Sequence, residues 1–149
     1  MKQALRRSDM PDRLEMILEL EQSFRHMFRQ MRKDMADIWE EQINGAEFNV
    51  LKSLQDKSPQ IVTALAQEFD CSVSHITHVA DHLEKKNLAY RKRSQLDKRV
   101  VELHISKQGQ DVIEKLARRK TEYYREKFEH LATDEIETLL TLLNKIDWS

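Results

Sequence analysis

The stretch SVSHITHVADHLEKKNLAYRKRSQLDKRVVELHIS, residues 72–106, contains the change of period that decides the fold. Up to Asn87 the apolar residues Ile76, Val79, Ala80 and Leu83 recur at i, i+3, i+4 and i+7, which is one face of a helix. Ser72 suits the N-cap of that helix, and Asn87 can take the left-handed conformation that ends it. The opposite face is small and polar: Ser74, His75, Thr77, His78, Asp81 and His82. Beyond Asn87 the period drops to 2. Leu88 and Tyr90 alternate with Ala89 and Arg91, and Val101, Leu103 and Ile105 alternate with Val100, Glu102 and His104. Two strands around a Ser94–Arg99 tip predict a β-hairpin.

Outward from this stretch the pattern is helical. Asn44-Gly45-Ala46-Glu47 has the form of a capping box, with Asn44 as cap and Glu47 reaching back. It opens a short helix carrying Phe48, Val50, Leu51 and Leu54. Ser58 is expected to cap a further helix with Pro59 at its first position and Val62, Leu65, Ala66 and Phe69 inward. Residues 12–43 read as one long amphipathic helix with Asp12 as its cap, and its first half is expected to pack against another chain. Its Met-rich face reads as core or as the lining of an adaptable pocket. Ser106 caps a helix that runs to about Leu131, with Gly109 in its first turn. Thr133 is expected to cap the last helix, with Ile136, Leu139, Leu140, Leu143 and Ile146 inward. The predicted fold is therefore mainly α with a small β-hairpin wing. A winged helix-turn-helix over 44–106 lies between long helices at 1–43 and 107–149.

That geometry leaves one face of the 73–85 helix free to lie in a DNA major groove. Short polar side chains let a helix approach base edges. Val73 suits a thymine methyl, and Ser74, His75, Thr77 and His78 suit base edges or phosphates. The first-turn N–H groups behind Ser72 favour a phosphate. Charge agrees with this. The chain carries a net charge of −1, yet residues 85–99 hold Lys85, Lys86, Arg91, Lys92, Arg93, Lys98 and Arg99 against Asp97 alone. Such a run on its own is as readily a solvated surface. On a wing it is placed for DNA: Arg93, Lys98 and Arg99 can reach a minor groove, whose negative potential attracts arginine. Asp97 is expected to pair with a nearby arginine and fix the shape of the tip.

Composition narrows the classes further. Among 149 residues there are 2 Gly and 2 Pro, too few for an all-β barrel or sandwich. No apolar run is long enough to span a membrane, and Met1–Arg7 has no apolar secretory core. A single cysteine, Cys71, excludes an internal disulfide and fits a reducing cytoplasm. No metal-protease, serine-hydrolase, P-loop or dinucleotide fingerprint is present, so the expectation is a protein that is not an enzyme and needs no cofactor.

The chain resembles the MarR family of bacterial transcription regulators. The resemblance is carried by 64–69 (ALAQEF), 72–83, 83–88 (LEKKNL), 97–101 (DKRVV) and 103–109 (LHISKQG), in that order and spacing. It covers roughly 14–146. It implies a homodimer whose terminal helices, 1–43 and 107–149, interlock, and a repressor bound to a palindrome of double-stranded DNA. A small-molecule effector, aromatic or anionic, is implied as the release signal. The resemblance places Ser74, His75, Thr77 and His78 in the major groove, Arg99 in the minor groove with Asp97 as its support, and His82 against phosphate. Asn87 stands where the family usually has Gly, and Ile105-Ser106 where it has Leu-Thr.

Other readings stay open. Cys71 is a structural thiol or a redox switch. His78 and His82, at i and i+4 with His75 nearby, are groove residues or zinc ligands of a metal-responsive regulator. Arg25, His26 and Arg29 are surface groups, inter-subunit partners or an anion site. Trp39, Trp148, Tyr123 and Tyr124 read as packing, and His104 as solvated or close to phosphate. A winged-helix protein-interaction module without a DNA role is the main alternative; its recognition face would be apolar and its wing need not be basic.

Overall fold

A computed structural model describes residues 12–149. The N-terminal stretch expected to lack a secretory leader lies outside the described residues. The chain divides into two compact units, one ending at Glu41 and the other beginning at Gln42.

The first unit contains α1 (Arg13–Trp39). Asp12 holds the N-cap position, but its side chain makes no capping bond. The helix stops four residues earlier than the sequence predicts, because Glu40 and Glu41 enter the left-handed region (φ 49° and 59°). The Glu40 N–H then donates to the Asp37 carbonyl. Trp39 is the one buried residue of α1. Leu14, Met16, Ile17, Leu18, Leu20, Met27 and Phe28 are all exposed.

The second unit holds α2 (Gly45–Asp56), β1 (Gln60–Ile61), α3 (Val62–Glu68), α4 (Val73–Lys85), β2 (Ala89–Arg93), β3 (Val101–Ile105), α5 (Lys107–Lys127) and α6 (Thr133–Lys145). Leu51 and Leu54 of α2, Leu65 of α3, Ile76 and Leu83 of α4, Leu103 of β3, and Ile113 and Leu116 of α5 form its core. The strands make an antiparallel sheet in the order β1-β3-β2. Each helix face predicted inward on α2 and α4 is buried, as its 3.6 period requires.

Several local expectations are corrected. Ser58 does not cap a helix: its Oγ accepts the Ile105 N–H at 3.2 Å, and Gln60–Ile61 pairs with β3 as a third strand. Pro59 therefore precedes a strand, and α3 begins only at Val62, with Ile61 as its N-cap residue. The Gln60 amide fixes this segment by donating to the Ser53 and Lys57 carbonyls. On β2 the buried residue is Ala89. Tyr90 pairs with His104, stacks on its ring at 5.1 Å and is 45% exposed. His104 is correspondingly half-buried, 3.2 Å from a Glu102 carboxylate oxygen, rather than solvated. The helix expected to reach Leu131 ends at Lys127. Thr133 is the first residue of α6 rather than its cap; Ala132 holds that position, and its N–H donates to the Glu135 carboxylate. No residue of α6 is buried, and Leu139, Leu140 and Leu142 are exposed. Its apolar face is left uncovered among the described residues.

Candidate nucleic-acid interface

The site is assembled by helix α4 and the β2–β3 hairpin. Ser72 caps α4 as expected, its Oγ accepting the His75 N–H at 3.0 Å. Cys71 before it donates its backbone N–H to the Ala66 carbonyl, which closes the turn between α3 and α4. Ser72, Val73, Ser74, His75, Thr77 and His78 are all exposed, while Ile76, Val79, Ala80 and Leu83 of the same helix are buried. Thr77 spends its hydroxyl proton on the Val73 carbonyl at 2.9 Å, so its oxygen is left to accept. Ser74, His75, Thr77 and His78 thus give the N-terminal half of the helix an exposed polar face, with Val73 exposed beside it.

His82 is placed differently. It is half-buried, its ring lies 4.3 Å from that of His78, and its Nδ1 is 3.7 Å from a Glu47 carboxylate oxygen. Glu47 is the surprise of the site. Only 1% exposed, it accepts 2.7 Å from Lys86 Nζ and 3.1 Å from the Asn44 side-chain amide. Asn44 caps α2 through the Glu47 N–H at 2.8 Å, but Glu47 does not reach back to the backbone as a capping box would. Its carboxylate instead ties the start of α2 to the end of α4.

A second tie joins α4 to the wing. Arg91 on β2 reaches the carboxylates of Asp81 and Glu84 and the Thr77 carbonyl on α4. Partial burial lowers the Arg91 pKa, but its hydrogen bonds to Asp81 and Glu84 outweigh that and leave the pKa raised. Lys86 and Arg91, counted from sequence among the wing charges, are therefore structural. Lys85, Lys92, Arg93, Lys98 and Arg99 remain exposed.

The wing tip is braced in the way its sequence suggests. Asp97 accepts from the Arg99 backbone N–H at 3.0 Å and from its guanidinium at 3.1 and 3.0 Å. The Arg99 side-chain bond, then its backbone bond, holds the Asp97 carboxyl below the usual aspartate range. The same pair raises the Arg99 guanidinium. An aspartate pKa depressed in the folded wing means the brace is intact above the ordinary aspartate range and is lost only in acid, so it is constant through neutral pH. The Arg99 side chain is nonetheless 90% exposed. Arg93 donates to the Lys98 carbonyl at 2.8 Å across the base of the tip.

The sequence profile of the MarR family matches residues 43–101. An uncharacterised HTH-type transcriptional regulator of Bacillus subtilis, YpoP, is 33% identical over 91% of this chain and 96% of its own length. The chain belongs to the MarR family. It is a DNA-binding transcriptional regulator with a winged helix-turn-helix, a class that acts by binding and not by catalysis. The HTH-type transcriptional repressor MdtR of Bacillus subtilis is 30% identical over 64% of this chain and 62% of its own. The crystal structure of the YusO protein from Bacillus subtilis shares the fold at a TM-score of 0.73 and 23% identity, over 91% of this chain and 96% of the other.

The remaining readings take their place around this MarR-type site. Cys71 is half-buried rather than fully buried. It lines a cleft of about 210 Å³ with Val50, Phe69, His75, Ile76 and Val79. Among the described residues no group of three or more His, Cys, Asp or Glu side chains is placed to hold a metal ion. No described helix is long and apolar enough to cross a membrane. Arg25 is engaged along its own helix with Glu21, and Trp148 is exposed.

Proposed function

We propose that the protein is a homodimeric repressor that occupies a palindromic operator, each subunit supplying one winged helix. The observation that carries this reading is the exposure of the first half of α4 together with that of a basic wing whose Arg99, 90% exposed, is paired with Asp97. In this reading Val73, Ser74, His75, Thr77 and His78 read the major groove, and Ser72 and His82 meet phosphate. Arg93, Lys98 and Arg99 serve the minor groove, with Asp97 holding Arg99 in position. A polar recognition face and a basic wing are the wrong surface for an apolar protein-interaction module, which disfavours that alternative.

Dimerisation is assigned to segments 1–43 and 107–149. The exposed apolar residues of α1 and α6 support it, because a monomer rarely leaves such faces in water. Sedimentation equilibrium is expected to give about twice the chain mass of 17.8 kDa; a lone subunit would remove the palindrome from the mechanism. Segment 44–106 is assigned to DNA, in a cytoplasmic protein. An aromatic or anionic effector releases the operator to the extent that it binds the non-matching spacing of the two winged helices more tightly.

The direct test is fluorescence anisotropy with the duplex upstream of the protein's own gene, titrated at several salt concentrations. Arg99→Ala is expected to weaken binding and, where Arg99 meets a phosphate at the groove edge, to lower the slope of log affinity against log salt by about one. Wild-type affinity and slope in that variant would take the wing out of the interface.

A further inference from the structure

Among the described residues, Leu96 is the most exposed of the large apolar side chains, at 100%. It stands at the tip of the wing, between Gln95 and Asp97. Its backbone is nevertheless held. The Leu96 and Asp97 N–H groups both donate to Ser94 Oγ, at 3.2 and 3.4 Å. Ser94 is itself buried, and its N–H closes the hairpin on the Val100 carbonyl at 2.9 Å. The bonds from Arg93 to Lys98 and from Arg99 to Asp97 fix the other side of the turn. The turn thus presents a leucine to water on a preformed mount, with Arg93, Lys98 and Arg99 all within three residues.

We infer that Leu96 is a specificity-determining residue for DNA, packing its side chain against the deoxyribose walls of the minor groove that the wing enters. This rests on the DNA-binding role of the wing proposed above. The minor groove is about 6 Å wide, which admits one branched side chain, and its walls are the C–H faces of the sugars. Minor-groove proteins do place leucine and similar apolar side chains in this groove, there as wedges between base steps; a single leucine on a narrow wing tip is placed instead to meet the groove walls. The groove narrows over A·T tracts, so the walls close on the side chain there and not over G·C. A protein partner fits less well. A stable protein interface takes about 800 Å² from each side, and Leu96 shares its surface depression with Lys92, Arg93, Ser94, Gln95, Glu102 and His104 rather than with an apolar patch. Because the backbone, not the side chain, makes the turn's hydrogen bonds, the side chain can be changed without loss of the turn.

The test uses the full-length protein and duplexes that the wild type selects from a random-sequence library. Each is then rebuilt with A·T or G·C pairs under the wing. Leu96→Ala is expected to bind the A·T duplex about tenfold more weakly. It should lose little on the G·C duplex, keep the wild-type salt slope, and melt at the wild-type temperature. Leu96→Met, still apolar, should stay within about twofold of wild type. Equal binding of Leu96→Ala and wild type on both duplexes overturns the inference, as does an equal loss on both with a changed salt slope. A change in sedimentation mass in Leu96→Ala would instead make the residue an inter-chain contact and overturn it also. If the wild type selects no duplex at all, the DNA-binding wing fails first, and that result is distinct from the others.

Discussion

Gly109→Ala is expected to destabilise the protein by about 3 kcal/mol or more and to abolish operator binding. Gly109 lies in the first turn of α5, where its N–H bonds to the Ser106 cap at 2.9 Å. A Cβ at this position would sit 2.0 Å from the Leu88 carbonyl oxygen and 3.0 Å from both the Leu88 carbonyl carbon and Ile105 Cγ1. The carbonyl has no freedom to swing away, because it accepts the Ser106 N–H at 3.0 Å. The methyl can be housed only if α5 lifts from the junction of α4, β2 and β3. The sign is the diagnostic. At an ordinary helical position, replacing Gly by Ala is worth about 0.5–1 kcal/mol in favour of the helix. Gly45, at the start of α2, has nothing within 4 Å of the place a methyl would occupy and supplies the control. Urea unfolding should show Gly45→Ala near neutral or slightly stabilised and Gly109→Ala far below wild type. Equal midpoints for the two variants would mean that the junction is looser than its geometry.

Much of this architecture was written in local signals. The recognition helix was legible because cap, period and stop agree: Ser72, the Ile76–Leu83 face and the left-handed Asn87 (φ 61°) all act within 16 residues. The Asp97–Arg99 brace was legible for the same reason, since its partners are two residues apart. What stayed hidden is long-range. Glu47 looks like half of a capping box, and nothing within a few residues reveals that its carboxylate meets Lys86, 39 positions away. Ser58 looks like a helix cap because Pro59 follows it, yet a two-residue strand pairing with β3 outcompetes the local preference. The alternation of Leu88 and Tyr90 with Ala89 and Arg91 does not by itself say which set faces inward. The register Ala89↔Ile105 puts Ala89 on the buried side, and a one-residue shift would turn every side chain over. The apolar face of α6 was legible as a face, but none of its residues is buried among the described residues. Of the candidate site, the exposed polar set on α4 followed from the helix period. The roles of Lys86 and Arg91 did not, because charge counting cannot separate a cation facing solvent from one already holding a carboxylate.

Lys86→Met is expected to cost about 2 kcal/mol in urea unfolding and to weaken operator binding. Glu47 is 1% exposed, while the Lys86 side chain is 37% exposed. Removing one partner of a fully buried pair costs about 3–5 kcal/mol; the partly solvated lysine end screens this one, so the expected loss is smaller. Without the ammonium, the carboxylate keeps the Asn44 amide and the distant His82 Nδ1, too little to replace the hydration it gave up on folding. The converse change is milder. Glu47→Gln leaves Lys86 with an end that water can reach, and a neutral amide in place of a buried charge, for a loss of about 1 kcal/mol. Because the two side chains act as one tie between α2 and α4, the double variant should lose clearly less than the sum of the singles. Additive losses would show that Glu47 and Lys86 stabilise the fold independently. The effect on DNA follows from position: Lys86 caps the C-terminal end of the recognition helix, so releasing it frees α4 to tilt on its buried face while every groove-facing side chain remains. Loss of affinity on all operator sequences alike, with sequence preference kept, is therefore the expected signature of this positioning pair, and a changed preference would count against it.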